Sequence, residues 1–325
     1  MRLFALNGTH VLGQAVADAI DAELDVIEER EFADGEHKAR PLVSVRNEDV
    51  YVVQSLHGRH GQLPSDRLLR LLFFLATCRD NGARRVTAVV PYMAFMRKEQ
   101  QTKPRDPVTS RYVAALFEAV GPDMVVTLEV HNPAAFQNAF RCRTTHLDAR
   151  HLFAAEVAEL AAGGRVIFLS PDSGGMRRAH LMHETYCAEG DRKAGFAMME
   201  KHRSEGIVSG ELFAGDVENA EVFIVDDMIA TGGTVLRAAD ACRRRGAKHV
   251  YVLATHGLFS SGSSELFSGS SIDRLVVSDS VAPFQVSPAE TNGRLKIVTC
   301  AGLLGDAIRH LHGGGSIHPP LNPQP

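Results

Sequence analysis

Short apolar runs rich in valine and isoleucine recur along this chain, and each is followed by a turn signal and then by a segment of helical periodicity. This alternation is typical of an α/β protein with a mostly parallel sheet, because parallel strands need long crossovers, usually helices, between them. The clearest predicted strands cover residues 51–54, 85–92, 124–130, 165–170, 221–227 and 249–256. The clearest predicted helices cover residues 68–81, 108–120, 152–162, 176–182 and 234–245.

The length of the chain predicts two domains, because its 325 residues are about twice the ~150 residues of an average domain. An alanine-rich helical segment separates two strand-rich halves, so we predict one domain at 1–145 and a second at 146–300. We predict that residues 301–325 begin with a short helix and end as a mobile tail, since the final Gly and Pro residues disfavour helix and packing.

Charge, hydropathy and cysteine content exclude several functional classes. The net charge of -4 gives no global basic field, so we expect no nucleic-acid partner. No run reaches the ~18 apolar residues that span a bilayer, and the start of the chain lacks a signal-peptide pattern, so we expect no membrane partner and a cytoplasmic location. The five widely spaced cysteines predict reduced thiols. Small molecules are the expected partners.

The segment VFIVDDMIATGGTVLRAAD, residues 222–240, carries the strongest functional signal. Its buried strand is predicted to deliver Asp226 and Asp227 to the carboxyl end, where ligands bind in open α/β sheets. The turn that follows offers backbone amides and two hydroxyls at a helix N-terminus, a ready anion site, at Thr231, Gly232, Gly233 and Thr234. Phosphate at the turn, with ribose hydroxyls or a divalent cation at the acids, indicates ribose 5-phosphate. The alternative is a pair of capping aspartates, although a cap needs only one carboxylate.

This segment resembles the phosphoribosyl diphosphate (PRPP) binding motif of type I phosphoribosyltransferases and of ribose-phosphate pyrophosphokinases. Similarity to the pyrophosphokinase family runs from about residue 3 to about residue 300, which favours that family over the shorter, single-domain transferases. The resemblance implies two phosphoribosyltransferase-like domains, each a mostly parallel sheet flanked by helices. It assigns ATP to the N-terminal domain and ribose 5-phosphate or PRPP to the C-terminal one.

FADGE, residues 32–36, resembles the family's F-x-D/N-G-E segment. The resemblance implies that Phe32, Asp34 and Glu36 contact the adenine of ATP, in known members from a neighbouring subunit. An aromatic ring can stack on a purine while carboxylates accept from its exocyclic amine. A solvated acidic turn is the alternative interpretation.

The stretch that begins at Val89 resembles the family's P-Y-x-x-Y-x-R-Q-D sequence and the loop after it. It implies ATP binding by Arg97, whose guanidinium can fork onto phosphate oxygens, and by Lys98. Lys98 and Glu99 stand where most members have Gln and Asp. The loop sequence KPRDP, residues 103–107, resembles the shorter loop of archaeal-type members, so we expect that subtype's properties.

Two further motifs imply metal or phosphate contacts. TLEVHNP, from Thr127, resembles the family's strand ending in D-L-H, which makes His131 a candidate metal-site or phosphate residue, with Glu129 in place of the family's Asp. LSPDSGGMRRA, from Leu169, resembles S-P-D-x-G-G, in which the acid supports Mg²⁺ and ribose, so Asp172 is the second metal candidate. Asp172 could instead be a simple helix N-cap.

MEKHRSEG, residues 199–206, resembles the family's D-K-R-R sequence on a mobile β-arm. The resemblance implies catalytic roles for Lys201 and Arg203. Glu200 and His202 replace the family's Asp and Arg, and the preceding segment is a few residues longer than usual. A solvated charged face is the alternative. The role of His256, at the end of a predicted strand, stays open.

The implied reaction is Mg²⁺-dependent transfer of pyrophosphate from ATP to the C1 hydroxyl of ribose 5-phosphate, giving PRPP and AMP. The chain has no G-x-S-x-G nucleophile signature, and this reaction needs no covalent nucleophile. The resemblance also implies a homo-oligomer, a dimer or larger, with an ATP site shared between subunits. Two alternatives stay open: a catalytically silent regulatory paralogue, motivated by the departures from the motifs, and a phosphoribosyltransferase that acts on a base.

Overall fold

The computed structural model describes residues 1–58, 61–161, 163–189, 192–204, 207–282 and 286–317, with backbone alone for 201–204 and 207–211. The chain divides into two compact units. The N-terminal unit comprises Met1–Leu147 and Cys300–Pro325, and the C-terminal unit comprises Asp148–Thr299. The functional assignment of the two units stays a prediction.

The first stretch of the N-terminal unit contains, in chain order, β1 (Arg2–Ala5), α1 (His10–Ala19), β2 (Ile27–Glu31), β3 (His37–Pro41), β4 (Asp49–Val53), α2 (Pro64–Asp80), β5 (Arg85–Val90), α3 (Thr109–Val120), β6 (Met124–Leu128), α4 (Pro133–Ala139) and β7 (Arg143–Leu147). The C-terminal unit contains α5 (Arg150–Ala161), β8 (Val166–Ser170), α6 (Met176–Ala188), β9 (Ala194–Ser204), β10 (Ile207–Ala214), β11 (Glu221–Ile229), α7 (Gly233–Arg244), β12 (His249–Gly257), α8 (Glu265–Ser268), β13 (Arg274–Ser278), α9 (Pro288–Thr291) and β14 (Leu295–Val298). The last helix, α10 (Ala301–Gly313), belongs to the N-terminal unit.

The N-terminal unit is built on a parallel sheet in the order β1-β4-β5-β6-β7. Every residue of β4 is buried, as expected for a parallel strand that is covered on both faces. β2 and β3 form a separate antiparallel hairpin. The carboxyl ends of the parallel strands lie at one edge of the sheet, where the segments after β5 and β6 carry Arg97, Lys98 and His131.

The C-terminal helix α10 is anchored on the N-terminal unit by a buried acid. The fully buried Asp49 carboxylate accepts from Arg85 Nε at 2.6 Å and lies 2.7 Å from Nδ1 of His312. Arg85 also donates to the Leu311 carbonyl at 2.9 Å. The sequence pattern predicts 301–325 as a separate segment. The structure differs because these polar contacts bind the helix to the start of β4 and β5, while residues 318–325 of the predicted mobile tail lie outside the described residues.

The C-terminal unit is built on a second sheet in the order β10-β9-β8-β11-β12-β13-β14. All neighbouring strands are parallel except β9 and β10, which form an antiparallel arm. The core of the unit joins the central strands to α7 through apolar side chains such as Val222, Ile224, Val235 and Val252. This packing fixes the direction in which β8 and β11 present the turns at their carboxyl ends.

Every predicted strand and helix overlaps an element of the structure, which confirms the α/β prediction. Several bounds differ: α6 continues to Ala188, and β11 continues to Ile229, two residues past the acidic pair. The described residues contain no disulfide. They also contain no helix whose length and apolar character would let it span a membrane.

Candidate functional site

Two glycine-containing turns follow two adjacent strands of the C-terminal unit. β8 and β11 pair in parallel as far as Leu169 and Ile224. The turn at 171–175 joins β8 to α6, and the turn at 230–232 joins β11 to α7. Because parallel strands point the same way, both turns lie at the same edge of the sheet.

The first turn is organised by the Asp172 carboxylate. The Gly175 amide donates to Asp172 Oδ1 at 2.9 Å, and Ser170 Oγ donates to the Asp172 carbonyl at 2.7 Å. A Cβ atom at Gly175 would lie 3.0 Å from Ser170 Oγ, so the turn favours glycine there. The N-cap of α6 is Gly175, and the bond from its amide to Asp172 has the three-residue spacing of a capping bond, so a structural role for Asp172 stays open beside the predicted metal role.

The acidic pair of β11 is partly neutralised by an arginine from α6. Arg178 Nη1 lies 3.8 Å from Asp227 Oδ1 and 4.0 Å from Asp226 Oδ1. Asp227 is buried, and its amide donates to Asp226 Oδ1 at 2.8 Å. The neighbouring Arg177 is exposed. The structure thus pairs Arg178, and not its neighbour Arg177, with these acids.

The pKa of the Asp226 carboxyl is well above its usual range. Burial is the largest cause, and the carboxyl of Asp227 adds to it. Asp172 raises the Asp226 pKa further, whereas Arg178 lowers it. Three acids and one arginine therefore share one electrostatic environment at the edge of the sheet.

The second turn has the geometry of an anion site. Gly232 has φ +83°, and a Cβ atom there would lie 2.5 Å from Leu266 Cδ1, so only glycine fits. Because Gly232 is also the N-cap of α7, this helix begins without a side-chain cap. Thr231 at the turn is exposed, and the turn is held by the Ser260 amide, which donates to the Ala230 carbonyl at 2.9 Å. The first amides of α7 are therefore suited to a phosphate.

His256 lies in β12, beside Met228 of β11. Its imidazole is buried, and its Nδ1 lies 2.8 Å from Ser280 Oγ. Ser278 Oγ in turn donates to the Thr255 carbonyl at 2.6 Å. This buried polar cluster supports the loops at the edge of the sheet, and sequence alone gave no role for His256.

Lys201 and Arg203 both lie in β9, on the antiparallel arm. Their backbones are in register with Glu211 and Val208 of β10, and the register shifts between those two residues. The predicted catalytic roles concern side chains that lie outside the described part of the structure, so these roles stay predictions.

The FADGE motif forms the turn between β2 and β3. The Phe32 amide donates to the Glu36 carbonyl at 2.8 Å, and the Glu36 amide donates to Asp34 Oδ1 at 3.1 Å. The side chains of Phe32, Asp34 and Glu36 are exposed, with the Arg30 guanidinium 5.0 Å from the Phe32 ring centroid. The turn is thus both ordered and accessible. Both interpretations, a binding turn and a solvated turn, agree with this geometry.

The loop after Arg97 closes on a single carboxylate. Asp106 accepts from the Lys98 ammonium and, at 3.0 Å, from the Lys103 amide. Lys98 also donates to Thr102 Oγ1 at 2.8 Å. The Lys98 ammonium holds the pKa of the Asp106 carboxyl well below its usual range. Arg97 is exposed, while Lys98 orders its own loop, which explains how a lysine is accommodated there.

His131 lies after β6, next to a polar contact between two loops. Asn132 accepts from the Ala135 amide at 3.1 Å as the N-cap of α4, and its Nδ2 donates to Glu99 Oε1 at 2.8 Å. His131 is exposed. Glu99, which stands where most family members have Asp, therefore has a structural role, since its side chain binds the Arg97 loop to the segment that carries His131.

The acids of the C-terminal unit fit a magnesium ion chemically. Asp172, Asp226 and Asp227 supply the carboxylate oxygens that Mg²⁺ prefers, and burial together with the carboxyls of Asp227 and Asp172 raises the Asp226 pKa despite the opposite effect of Arg178. No group of three or more His, Cys, Asp or Glu side chains forms a ready metal site in the described ranges. Such a cluster is not required, because Mg²⁺ is usually held by one or two carboxylates together with substrate phosphates.

Two family models match this chain. The N-terminal domain of ribose phosphate pyrophosphokinase matches residues 1–121, and the phosphoribosyl synthetase-associated domain matches residues 210–319. The first match includes the FADGE turn and the Arg97 loop. The second includes the acidic pair and the turn that begins α7.

Individual relatives match nearly the whole chain. A ribose-phosphate pyrophosphokinase of Hyphomonas neptunium is 33% identical over 312 residues, which cover 96% of each protein. Ribose-phosphate pyrophosphokinase 2 of Enterococcus faecalis is 31% identical over 98% of this chain and 95% of its own. The crystal structure of phosphoribosylpyrophosphate synthetase from Mycobacterium smegmatis matches with a TM-score of 0.85 at 28% identity, covering 97% of this chain and 99% of that one. The similarity therefore extends over both units and confirms the predicted fold.

Proposed function

The chain belongs to the ribose-phosphate pyrophosphokinase family, and we propose that it transfers pyrophosphate from ATP to the C1 hydroxyl of ribose 5-phosphate, giving PRPP and AMP. Similarity to named pyrophosphokinases over nearly the full length supports this activity. The structural observation that carries the proposal is the meeting of Arg178 with Asp226 and Asp227, beside the Asp172 turn and the uncapped start of α7.

Ribose 5-phosphate is proposed to bind at the β11–α7 turn. Asp226 and Asp227 accept hydroxyls of the ribose, and the amides at the start of α7 bind the 5-phosphate. The phosphate-binding residues are Thr231, Gly232, Gly233 and Thr234. Support comes from the left-handed Gly232 and from the missing side-chain cap, which together leave backbone donors at the helix start.

ATP is proposed to bind through the N-terminal unit. Phe32 stacks on adenine, Asp34 and Glu36 accept from its amine, and the exposed Arg97 forks onto phosphate oxygens. Lys98 is the second proposed phosphate ligand. Because its ammonium is bound to Asp106, ATP would compete with that carboxylate for it.

The reaction needs alignment and charge neutralisation rather than a covalent intermediate. The C1 hydroxyl oxygen attacks the β-phosphorus, the bond from that phosphorus to the oxygen bridging the α- and β-phosphates breaks, and AMP leaves as the hydroxyl proton is released. Lys201 and Arg203 are proposed to stabilise the charge that develops on the transferred group. When bound, Mg²⁺ supplies further neutralisation of the phosphate oxygens. Asp172 is the proposed metal residue near ribose, and His131 is the proposed metal or phosphate residue of the N-terminal unit.

The proposed assembly of the enzyme follows from the same resemblance. We propose a homo-oligomer, at least a dimer, in which the FADGE turn of one subunit serves the ATP site of its neighbour. We also propose a cytoplasmic location. Sedimentation analysis of the purified protein tests the assembly, and a monomer at assay concentration would contradict a shared site.

A direct assay tests the activity. The purified protein is incubated with ATP, ribose 5-phosphate and Mg²⁺, and AMP and PRPP are quantified by chromatography. We expect equimolar AMP and PRPP, with neither product when ribose 5-phosphate is omitted. Binding of ATP without release of AMP would instead support the silent regulatory paralogue. Consumption of added PRPP with a free base would support a phosphoribosyltransferase.

A further inference from the structure

The β2–β3 hairpin depends on another element for its orientation. It is a two-stranded sheet that is not hydrogen-bonded to the parallel sheet of the N-terminal unit. A hairpin of two strands is at best marginally stable by itself in water. In this unit β3 packs against helix α2. The direction in which the hairpin presents its turn, residues 32–36, is therefore set by contacts with α2.

Two side chains of α2 hold the two ends of that turn. Arg70 Nη2 donates to Glu31 Oε2 at 2.7 Å, and Glu31 is the last residue of β2, directly before Phe32. The ring of Phe73 stacks on the imidazole of His37, the first residue of β3, with centroids 5.5 Å apart and planes 15° apart. Arg70 and Phe73 lie three residues apart, on one face of the helix. Glu31 and His37 are partners in the strand register, so the helix contacts both strands at the base of the turn.

Burial and charge make Arg70 the fixed partner of this contact. Its side chain is 12% exposed, whereas that of Glu31 is 58% exposed. Burial lowers the pKa of His37, and the positive charge of Arg70 lowers it further, so the imidazole on Phe73 is neutral at neutral pH. Burial raises the pKa of Glu29, an acid of β2, and the positive charge of Arg70 offsets part of that rise. Arg70 is thus held in the interface, and the hairpin is oriented on it.

We propose that Arg70 is a positioning residue for the nucleotide donor, acting through Glu31 on the turn that carries Phe32. This inference rests on the proposed function, since it takes the turn to contact adenine. Without the Arg70 contact, the hairpin would occupy the binding orientation for a smaller fraction of the time. The apparent affinity for ATP falls in proportion to the population of the binding orientation, whereas saturating ATP restores that orientation. The KM for ATP should therefore rise while kcat stays unchanged.

A charge-reversal cycle tests this role. We expect Arg70→Glu and Glu31→Arg each to raise the KM for ATP about three- to tenfold. The double variant, which restores opposite charges, should return the KM to within about twofold of the wild type. The kcat and the KM for ribose 5-phosphate should not change. Arg79→Glu is the matched control, because Arg79 lies on the same helix but pairs with Asp123 at 3.4 Å rather than with the hairpin.

The outcomes separate this inference from the proposed function. A wild-type protein that forms no PRPP contradicts the function itself. An active wild type whose Arg70→Glu variant keeps its KM for ATP overturns the positioning role alone. A loss shared by kcat and both KM values, or a double variant without recovery, also overturns it. If Arg70→Glu fails to fold, Glu31→Ala at the exposed partner decides, since it removes the same contact and should raise only the KM for ATP.

Discussion

Arg178 faces Asp227 at 3.8 Å, so an arginine delivered by the turn after β8 balances an acid of the neighbouring strand β11. The same guanidinium lies 4.0 Å from Asp226. Asp172, in the turn that precedes α6, acts on Asp226 in the opposite sense. The segment after β8 therefore acts on the charge of the acids that are proposed to bind ribose.

Replacement of Arg178 should change the pH dependence of catalysis. Arg178 lowers the pKa of Asp226, so Arg178→Met should raise that pKa further. If ionised acids bind the ribose and metal, the acidic limb of the kcat/KM profile should move to higher pH. Profiles for PRPP formation, measured with ribose 5-phosphate varied, check this.

Arg177→Met is the control for that experiment, because Arg177 is adjacent in sequence but exposed. Its acidic limb should stay at the wild-type pH. An unchanged limb in Arg178→Met would show that Asp226 does not govern activity through its ionisation.

Asp226→Asn should stabilise the protein while it removes activity. Burial raises the pKa of Asp226 in the folded protein above its pKa in the unfolded chain. At a pH below the unfolded-chain pKa the acid is neutral and its burial does not oppose folding. As the pH rises through the folded-state pKa, this favourable contribution to the free energy of unfolding is lost. Asparagine stays neutral, so Tm at pH 7 should rise by about 2–4 °C, and the gain should fade toward pH 4. Thermal unfolding at both pH values measures it.

The control for this variant is Asp216→Asn, an exposed acid of the same unit that pairs with Arg165 at 2.9 Å. Its carboxyl has a lowered pKa, so it should give no stabilisation at pH 7. A destabilised Asp226→Asn protein would contradict the view that the charged acid is held at the expense of stability.

Gly232→Ala should damage both folding and phosphate binding. The residue would need φ +83°, and its Cβ would meet Leu266 at 2.5 Å. Backbone strain and overpacking together should lower the free energy of unfolding by about 2–4 kcal/mol. Urea denaturation measures this loss, with Gly269→Ala as the control, since a Cβ there has nothing within 4 Å. Equal stability of the two variants would refute the steric argument.

Lys201→Ala should lower kcat with little change in either KM. Loss of one donor that acts on transition-state charge typically reduces kcat about 10²- to 10³-fold. Steady-state kinetics with each substrate varied check this, and Lys193→Ala, just before β9, is the matched control. Normal turnover in Lys201→Ala would remove the catalytic assignment.

Local patterns predicted the elements that are buried on both faces. β8 and β11 are short apolar runs, and the turn around Gly232 is a local signal, so both are readable from sequence. The pairing of Arg178 with Asp227 was not readable, because it depends on the register between β8 and β11. The extension of β11 to Ile229 is not readable from the local pattern either, because the end of this strand pairs with His256 and Gly257 of β12.

The hairpin shows a second limit of sequence patterns. FADGE was identified as a motif, but β2 and β3 are rich in charged residues and lack apolar alternation. The two strands pair with each other, and α2 contacts the hairpin through Arg70 and Phe73. A contact between distant segments supplies what the local sequence lacks, and the adenine contacts proposed for the turn stay a prediction.

The contact between His312 and Asp49 has a consequence for biosynthesis. The acid lies near the beginning of the chain, and the imidazole lies near its end. A nascent chain on the ribosome can therefore fold its second unit before the first has received its final helix. Synthesis of α10, rather than of β7, is the event that completes the N-terminal sheet's surroundings.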